Sequence, residues 1–394
     1  MTMKKISVVL AGASGYGHSY LREILQEGNK FIKLVGVVDI APERSQYYQE
    51  LVKRKIPIYA SLQTFYQEHQ ADLAIISTPI HLHREHSCLA MNHGSHVLCE
   101  KPMASDPEDI EKMKETSEKT GKFLAIGFNW SFTDSVQKLK RDILAGKFGK
   151  IKRCKSLTLW PRTKDYYNRS AWAGKKYSSN GEMIFDSIAN NATAHHLHHL
   201  LYLNGDSISQ SAQIADLTAE LYKANDIETF DTCAVKIKTR SNVDIYYYAS
   251  HAVDEANGPQ YVIEFERATI CFHQNESPSD IIALWEDGRK TKYEDPAHTM
   301  AKLAVCVQAI LRGDDDILCG IEAATPHAKA IQAMHQSVPE AQVFPEVLIH
   351  YNEKEKLLSV EGLSEVLMEC YENWCLPSDL DVEWSQRGRE VVVD

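Results

Sequence analysis

Between Ile6 and Ile126, short apolar runs rich in β-branched residues alternate with amphipathic stretches. Ile6–Leu10, Lys33–Val38, Ile56–Tyr59, Leu73–Ser77, His96–Cys99 and Phe123–Ile126 read as strands. His18–Gln26, Glu43–Val52, Leu62–Glu68, His83–Asn92 and Pro107–Thr120 read as the helices between them. Strands and helices alternating at this spacing predict an α/β domain, a doubly wound parallel sheet covered by its own crossovers. After Gly127 the rhythm changes. One helical stretch, Ser135–Ala145, is followed by long β-rich segments at Ile151–Leu159, Cys233–Thr239, Val243–Ser250 and Gln260–Phe272, without regular helical crossovers. This predicts an α+β domain with an open mixed, largely antiparallel sheet. A helical insert over Ala189–Leu203 is stopped by Asn204 and Gly205, and helices at Thr299–Arg312, Ile321–Ser337 and Val360–Tyr371 close the domain. The boundaries are placed at 1–126, 127–345 and 346–394, the last segment a C-terminal extension packing on the second domain.

Composition fits this division: 394 residues, 44% hydrophobic and 25% charged, exceed one typical core. The 43 Lys and Arg against 54 Asp and Glu leave a net charge of −11 with no basic stripe. Nucleic acid and anionic membrane are therefore excluded as partners, leaving a small molecule or another protein. Nine cysteines are scattered without a C-x-x-C pair, as expected of reduced thiols in the cytoplasm. Lys4 and Lys5 before the run Ile6–Ala13 imitate a secretory signal, but eight apolar residues leading into a glycine loop read better as a first strand. No window approaches the roughly 18 apolar residues of a membrane helix.

That loop, Gly12-Ala13-Ser14-Gly15-Tyr16-Gly17, lies between the first strand and the first helix. Against the Rossmann pattern G-x-G-x-x-G, Gly12 suits the tight turn, Gly17 suits close helix packing, and Ser14 replaces the middle glycine. Backbone N–H groups and the positive end of the helix would face a pyrophosphate there. Asp39, at the end of the second strand, stands where a carboxylate accepts ribose hydroxyls of NAD and repels a 2′-phosphate. The same position would suit a turn before Pro42. Arg44 is close enough in sequence to accept a phosphate, so NADP stays open as a second cofactor.

Thr78-Pro79-Ile80-His81-Leu82-His83, followed by Gly94-Ser95-His96-Val97-Leu98-Cys99-Glu100-Lys101-Pro102, resembles the glucose-fructose oxidoreductase and inositol dehydrogenase family, Gfo/Idh/MocA. The family's patterns run T-P-N-x-x-H and G-x-H-V-x-x-E-K-P; Ile80 stands where the asparagine is usual. Gly127-Phe128-Asn129 is similar to its next motif, without the arginine that often follows. The resemblance spans about residues 1–340 and is strongest before 130. It implies a nicotinamide-binding first domain, with Thr78, Pro79, His83, Glu100, Lys101 and Asn129 at the cofactor, and a second domain on an open mixed sheet. Lys101, just past the fifth strand, lies where open parallel sheets bind ligands, and a partly desolvated lysine there would hydrogen-bond a substrate hydroxyl.

The resemblance also implies a D-x-G-x-H segment whose histidine is an acid/base. The stretch from Asp186 to His199 holds Asn191 and His195 at that spacing, with the acid amidated. Asn191, His195 and His199 fall on one helical stripe, and an imidazole suits general-base work near neutral pH. Asp186 would supply charge beside His195 or cap the helix with Ser187. His196 and His199 are assigned to the substrate side. No metal site is expected, since Asp186 is the only third ligand in view. Trp160, Arg162, Tyr166 and Trp172 form an aromatic and cationic segment that suits either a sugar-stacking substrate loop or a subunit-interface arm. Tyr246, Tyr247, Tyr248 and His251 alternate between the faces of a strand, and one such exposed face of an open sheet would invite a homodimer or homotetramer. The reading is an NAD(P)-dependent oxidoreductase acting on a CH–OH group of a sugar, cyclitol or related polyol. An NAD-dependent glycosidase and a non-catalytic dinucleotide-binding sensor are the alternatives.

Overall fold

The computed structural model describes residues 5–26, 29–275, 279–296 and 300–393. The chain forms two compact units. One comprises the chain up to Thr133 together with a returning segment that ends at Thr325; the other runs from Asp134 and resumes at Pro326.

In the first unit, β1 (Ile6–Ala11), α1 (Gly17–Ile24), β2 (Ile32–Val38), α2 (Tyr48–Lys53), β3 (Ile58–Tyr59), α3 (Leu62–Glu68), β4 (Leu73–Ile76), α4 (His83–Asn92), β5 (His96–Cys99), α5 (Pro107–Thr120) and β6 (Leu124–Ile126) follow in order. The sheet order is β3-β2-β1-β4-β5-β6 with every pair parallel. Val8, Val9, Leu10 and Ala11 are all fully buried, as strands covered on both faces require. Local signals set the helix ends: the Asp106 side chain accepts from the Glu108 N–H ahead of Pro107, and Gly121 closes α5 in the left-handed region at φ 64°. Strand order reverses between β1 and β4, and ligands bind beyond the carboxyl ends of such a pair.

The second unit opens with α6 (Asp134–Leu144), β7 (Ile151–Leu159), α7 (Lys164–Tyr167), α8 (Ala194–Leu203), β8 (Ile214–Lys223), β9 (Thr232–Thr239), β10 (Asp244–Ser250), β11 (Asn257–Phe265), β12 (Ala268–His273), β13 (Ile281–Trp285) and β14 (Lys290–Tyr293). After α9 (Ala301–Arg312) and α10 (Ile321–Ser337) come β15 (Gln342–Val343), β16 (Ile349–Asn352), β17 (Leu357–Val360), α11 (Leu363–Asn373) and β18 (Val391–Val392). The large sheet runs β14-β13-β12-β11-β7-β10-β9-β8-β15, with β18 also on β8. Its β7–β10 and β8–β15 pairs are parallel and the rest antiparallel, so the sheet is mixed as the pattern predicts.

Four expectations change. Gln260–Phe272 is a hairpin of two strands, turning at Glu266 and Arg267. The insert is helical only from Ala194, because Ser187 Oγ and Thr193 Oγ1 bond nearby backbone in the preceding turns and compete with a helix. The helix at 301–312 belongs to the first unit, since amphipathic periodicity marks a buried face but not the core it meets.

The tyrosine strand is the fourth. It is not an exposed face: Tyr246 and Tyr248 pack with Leu363, Leu367, Cys370 and Tyr371 of α11. Tyr248 Oη donates toward the carbonyls of Cys370 (3.0 Å) and Cys375 (2.8 Å). On the other face Tyr247 Oη meets Thr193 Oγ1 at 2.5 Å. Residues of the C-terminal extension cover the surface that the sequence reading gave to a partner. No helix among the described residues is long and apolar enough to cross a membrane.

Candidate functional site

In the first unit the glycine loop is set by contacts that leave no room for side chains. A Cβ on Gly12 (φ 88°) would lie 2.3 Å from the Ser77 carbonyl oxygen, and one on Gly17 would lie 2.1 Å from that of Gly12. Helix α1 is thereby pulled against the ends of β1 and β4. Gly15 has open space where a Cβ would stand, and Ser14 Oγ is buried with no hydrogen-bond partner among the described residues. An unanswered buried hydroxyl beside a helix N-terminus fits the phosphate of a dinucleotide. Asp39 Oδ2 accepts from Ala13 N and Oδ1 from Ala41 N, each at 2.8 Å. The carboxylate is thus fixed to the loop itself, and its remaining lone pairs suit ribose hydroxyls. Arg44 is exposed, on the 3-10 turn Pro42–Arg44.

The motif residues of β4 and β5 divide into surface and strut. Thr78 Oγ1 lies 3.1 Å from His86 Nδ1, and Pro79 leads into the 3-10 turn Ile80–Leu82. Burial lowers the His86 imidazole to about 4, so it is neutral at physiological pH and orients Thr78 without charge. His83, expected at the cofactor, is buried with Nδ1 2.8 Å from the Pro102 carbonyl and Nε2 2.9 Å from that of Thr78. It ties the two motif loops together, and burial pushes its pKa down against the pull of those carbonyls.

Glu100 is likewise turned inward: Oε1 accepts from Tyr20 Oη (2.6 Å) and from Lys302 Nζ, and Oε2 from Lys101 N at 3.3 Å. Burial and the Glu100 carboxylate raise the Tyr20 pKa well above normal. Lys101 itself is half-buried. Tyr16 Oη reaches Asn129 Oδ1 at 3.4 Å, linking the glycine loop to the third motif.

In the second unit, Asp186 is buried and accepts from Gly174 N (2.8 Å), Arg169 Nη2 (3.1 Å) and Asn191 Nδ2 (2.7 Å). It caps no helix: α8 starts after Thr193, and Asn191 lies in the turn ahead of it, off the stripe expected with His195 and His199. Asp186 therefore orients Asn191 and neutralises Arg169. Of the four helix histidines, His195 is half-buried while His196, His198 and His199 are buried. His196 meets Trp160 edge-on at 5.4 Å between centroids, and His199 packs on Tyr261 at 4.9 Å. Burial lowers His199 to about 3 and His198 well below normal, leaving neutral packing groups.

The aromatic segment is brought together as a stack. The Arg162 guanidinium lies 5.6 Å from the Trp160 ring and 5.3 Å from Tyr166, and Arg169 lies 4.0 Å from Tyr166 and 5.1 Å from Trp172. Through Arg169 this stack continues into Asp186 and Asn191. His86, half-buried, and Lys302, fully buried, were not singled out from the sequence, where nothing sets them apart from ordinary surface side chains. Among the described residues there is no metal-binding cluster.

Residues 6–128 match the family described as "Oxidoreductase family, NAD-binding Rossmann fold", Gfo/Idh/MocA. A 154-residue stretch is 30% identical to the 2,7-anhydro-N-acetylneuraminate hydratase of Mediterraneibacter gnavus, covering 39% of this chain and 40% of that protein. A 149-residue stretch is 29% identical to the glucose-6-phosphate 3-dehydrogenase of Bacillus subtilis, covering 38% and 40%. The chain thus spans about two fifths of the length of these curated relatives. Its fold is that of the WlbA dehydrogenase from Bordetella pertussis, solved with NADH and UDP-GlcNAcA: TM-score 0.69 at 21% identity, over 85% of this chain and 97% of that one.

Proposed function

We propose, from the match of residues 6–128 to the NAD-binding Rossmann oxidoreductases of the Gfo/Idh/MocA family, that the chain is an NAD-dependent oxidoreductase acting on a carbinol carbon of a sugar, cyclitol or related polyol. The observation that carries this reading is the Asp39 carboxylate bonded to Ala13 N in a loop whose Ser14 hydroxyl is buried and unanswered. NAD is favoured over NADP because a fixed carboxylate repels a 2′-phosphate, although Arg44 is exposed nearby.

Bound NAD supplies the hydride acceptor at nicotinamide C4. The chain's own residues handle the proton. His195, the half-buried member of its helix, is the group suited to take it from a substrate hydroxyl, and Lys101, half-buried past β5, is suited to donate a hydrogen bond to a ligand hydroxyl. Asn191, in the turn ahead of that helix, is oriented by Asp186. Trp160, Tyr166 and Trp172, interleaved with Arg162 and Arg169, supply ring faces and donors for a hydroxylated and acidic ligand.

The likeness to a hydratase supports a second reading, in which oxidation is transient and the net reaction is redox-neutral. Incubating the protein and NAD+ with a panel of sugars, sugar nucleotides and cyclitols separates the two. Accumulating NADH is the result expected of a dehydrogenase; substrate conversion without NADH would replace it by the redox-neutral reading.

A further inference from the structure

Lys302 is fully buried on α9. Burial strips an ammonium of hydration and is tolerated only where partners replace the water. Its Nζ donates to Glu100 Oε1 and lies 3.4 Å from the Gly127 carbonyl oxygen. It also lies 4.4 Å from the centroid of the Tyr16 ring and 5.3 Å from that of Tyr20. These partners stand beyond the carboxyl ends of three strands. Tyr16 belongs to the glycine loop after β1 and Tyr20 to its helix, Glu100 follows β5, and Gly127 follows β6.

We infer that Lys302 is a positioning residue of the dinucleotide cradle, an inference that rests on the cofactor reading above. The strand ladder is held by its own backbone bonds and does not require the ammonium. What Lys302 adds is the placement of the loops beyond the ladder. It fixes Glu100, whose second oxygen accepts from Lys101 N at 3.3 Å and whose first accepts from Tyr20 Oη at 2.6 Å. Seating Tyr16 on the same ammonium sets the first turn of α1, where the N–H groups face a phosphate. A Cβ on Gly127 would come 3.0 Å from both Glu100 oxygens, so the β6 loop is packed directly on the anchored carboxylate. Local motifs do not encode this arrangement, because Lys302 enters the first unit only after the chain has built most of the second.

Replacing Lys302 alone would leave Glu100 buried and unpaired, confounding position with charge. The decisive variant is therefore Glu100→Gln with Lys302→Met, which removes both charges together. NADH binding, read by fluorescence, should weaken at least about tenfold while the variant keeps a cooperative melt. Binding within about twofold of the parent would overturn the inference and make Lys302 a counter-charge only. If the parent does not bind NADH, the cofactor reading fails and the inference falls with it.

A measurement on the parent serves should the double variant not fold. NADH should slow hydrogen exchange in α9 around Lys302 as well as in the glycine loop, because the ammonium joins them. Protection confined to the glycine loop would contradict the positioning role.

Discussion

Asp39 and Asp186 show how two acids of similar appearance in the sequence acquire different work. Asp39 is tied to the backbone of a glycine loop and of the following turn, whereas Asp186 is buried under three donors, one of them Asn191. The places of Gly12, Gly17 and Asp39 were legible because a strand-loop-helix turn sets them by spacing alone. The inward-facing Glu100 and His83 were legible as motif residues but not as struts, since a motif records which residues recur and not where their side chains point. Lys302 carried no signal, for a buried cation and a surface one are the same letter. The account expects Lys101→Ala and His195→Ala each to lower turnover by about two to four orders of magnitude, the usual range for a lost proton-transfer group. NADH affinity should stay near the parent's. Steady-state kinetics with a reactive polyol checks this, and near-parent turnover in His195→Ala would move the proton to another group.

At the scale of elements, the strands of the first unit and the long helix α5 followed from apolar runs and caps. The second unit was harder, because antiparallel strands half-hidden by later chain give weak alternation, and β8, β13 and β14 were not read at all. The tyrosine strand was correctly a strand and wrongly an exposed one: its cover, α11, arrives more than a hundred residues later. Lys155 explains how that cover is held. It is buried, donates to the Tyr371 carbonyl at 2.5 Å, and lies 4.2 Å from the rings of both Tyr371 and Trp374. A cation at the last carbonyls of α11 complements the negative end of the helix. Burial pulls its amine down to about 8. Lys155→Met should leave those carbonyls without their donor and cost about 1–3 kcal/mol. Urea unfolding measures the loss, and an unchanged midpoint would show that the C-terminal segment is held by apolar contact alone.

Across the whole molecule, burial keeps a set of histidines neutral: His86 and His96 near 4, and His199, His251 and His335 near 3. In the unfolded chain the same rings titrate near 6.5. The unfolded state therefore binds protons first as pH falls, so stability is full above about pH 6.5 and declines progressively toward pH 3. Melting temperature measured from neutral to mildly acidic buffer should fall below that point; a flat profile from about pH 7 to 5 would mean these rings are hydrated in the native state. The passage from a parallel to a mixed sheet was legible from the change of pattern after Gly127. The discontinuity that returns α9 to the first unit was not, since no local property of a helix names the core it joins. The central claim is that the first unit binds NAD through its glycine loop and Asp39, and calorimetric titration of the full chain with NAD+ and NADP+ tests it most directly. The account expects one NAD+ per chain, bound more tightly than NADP+, with Asp39→Ala weakening NAD+ and narrowing the preference; a parent protein that binds neither dinucleotide, or that prefers NADP+, would contradict it.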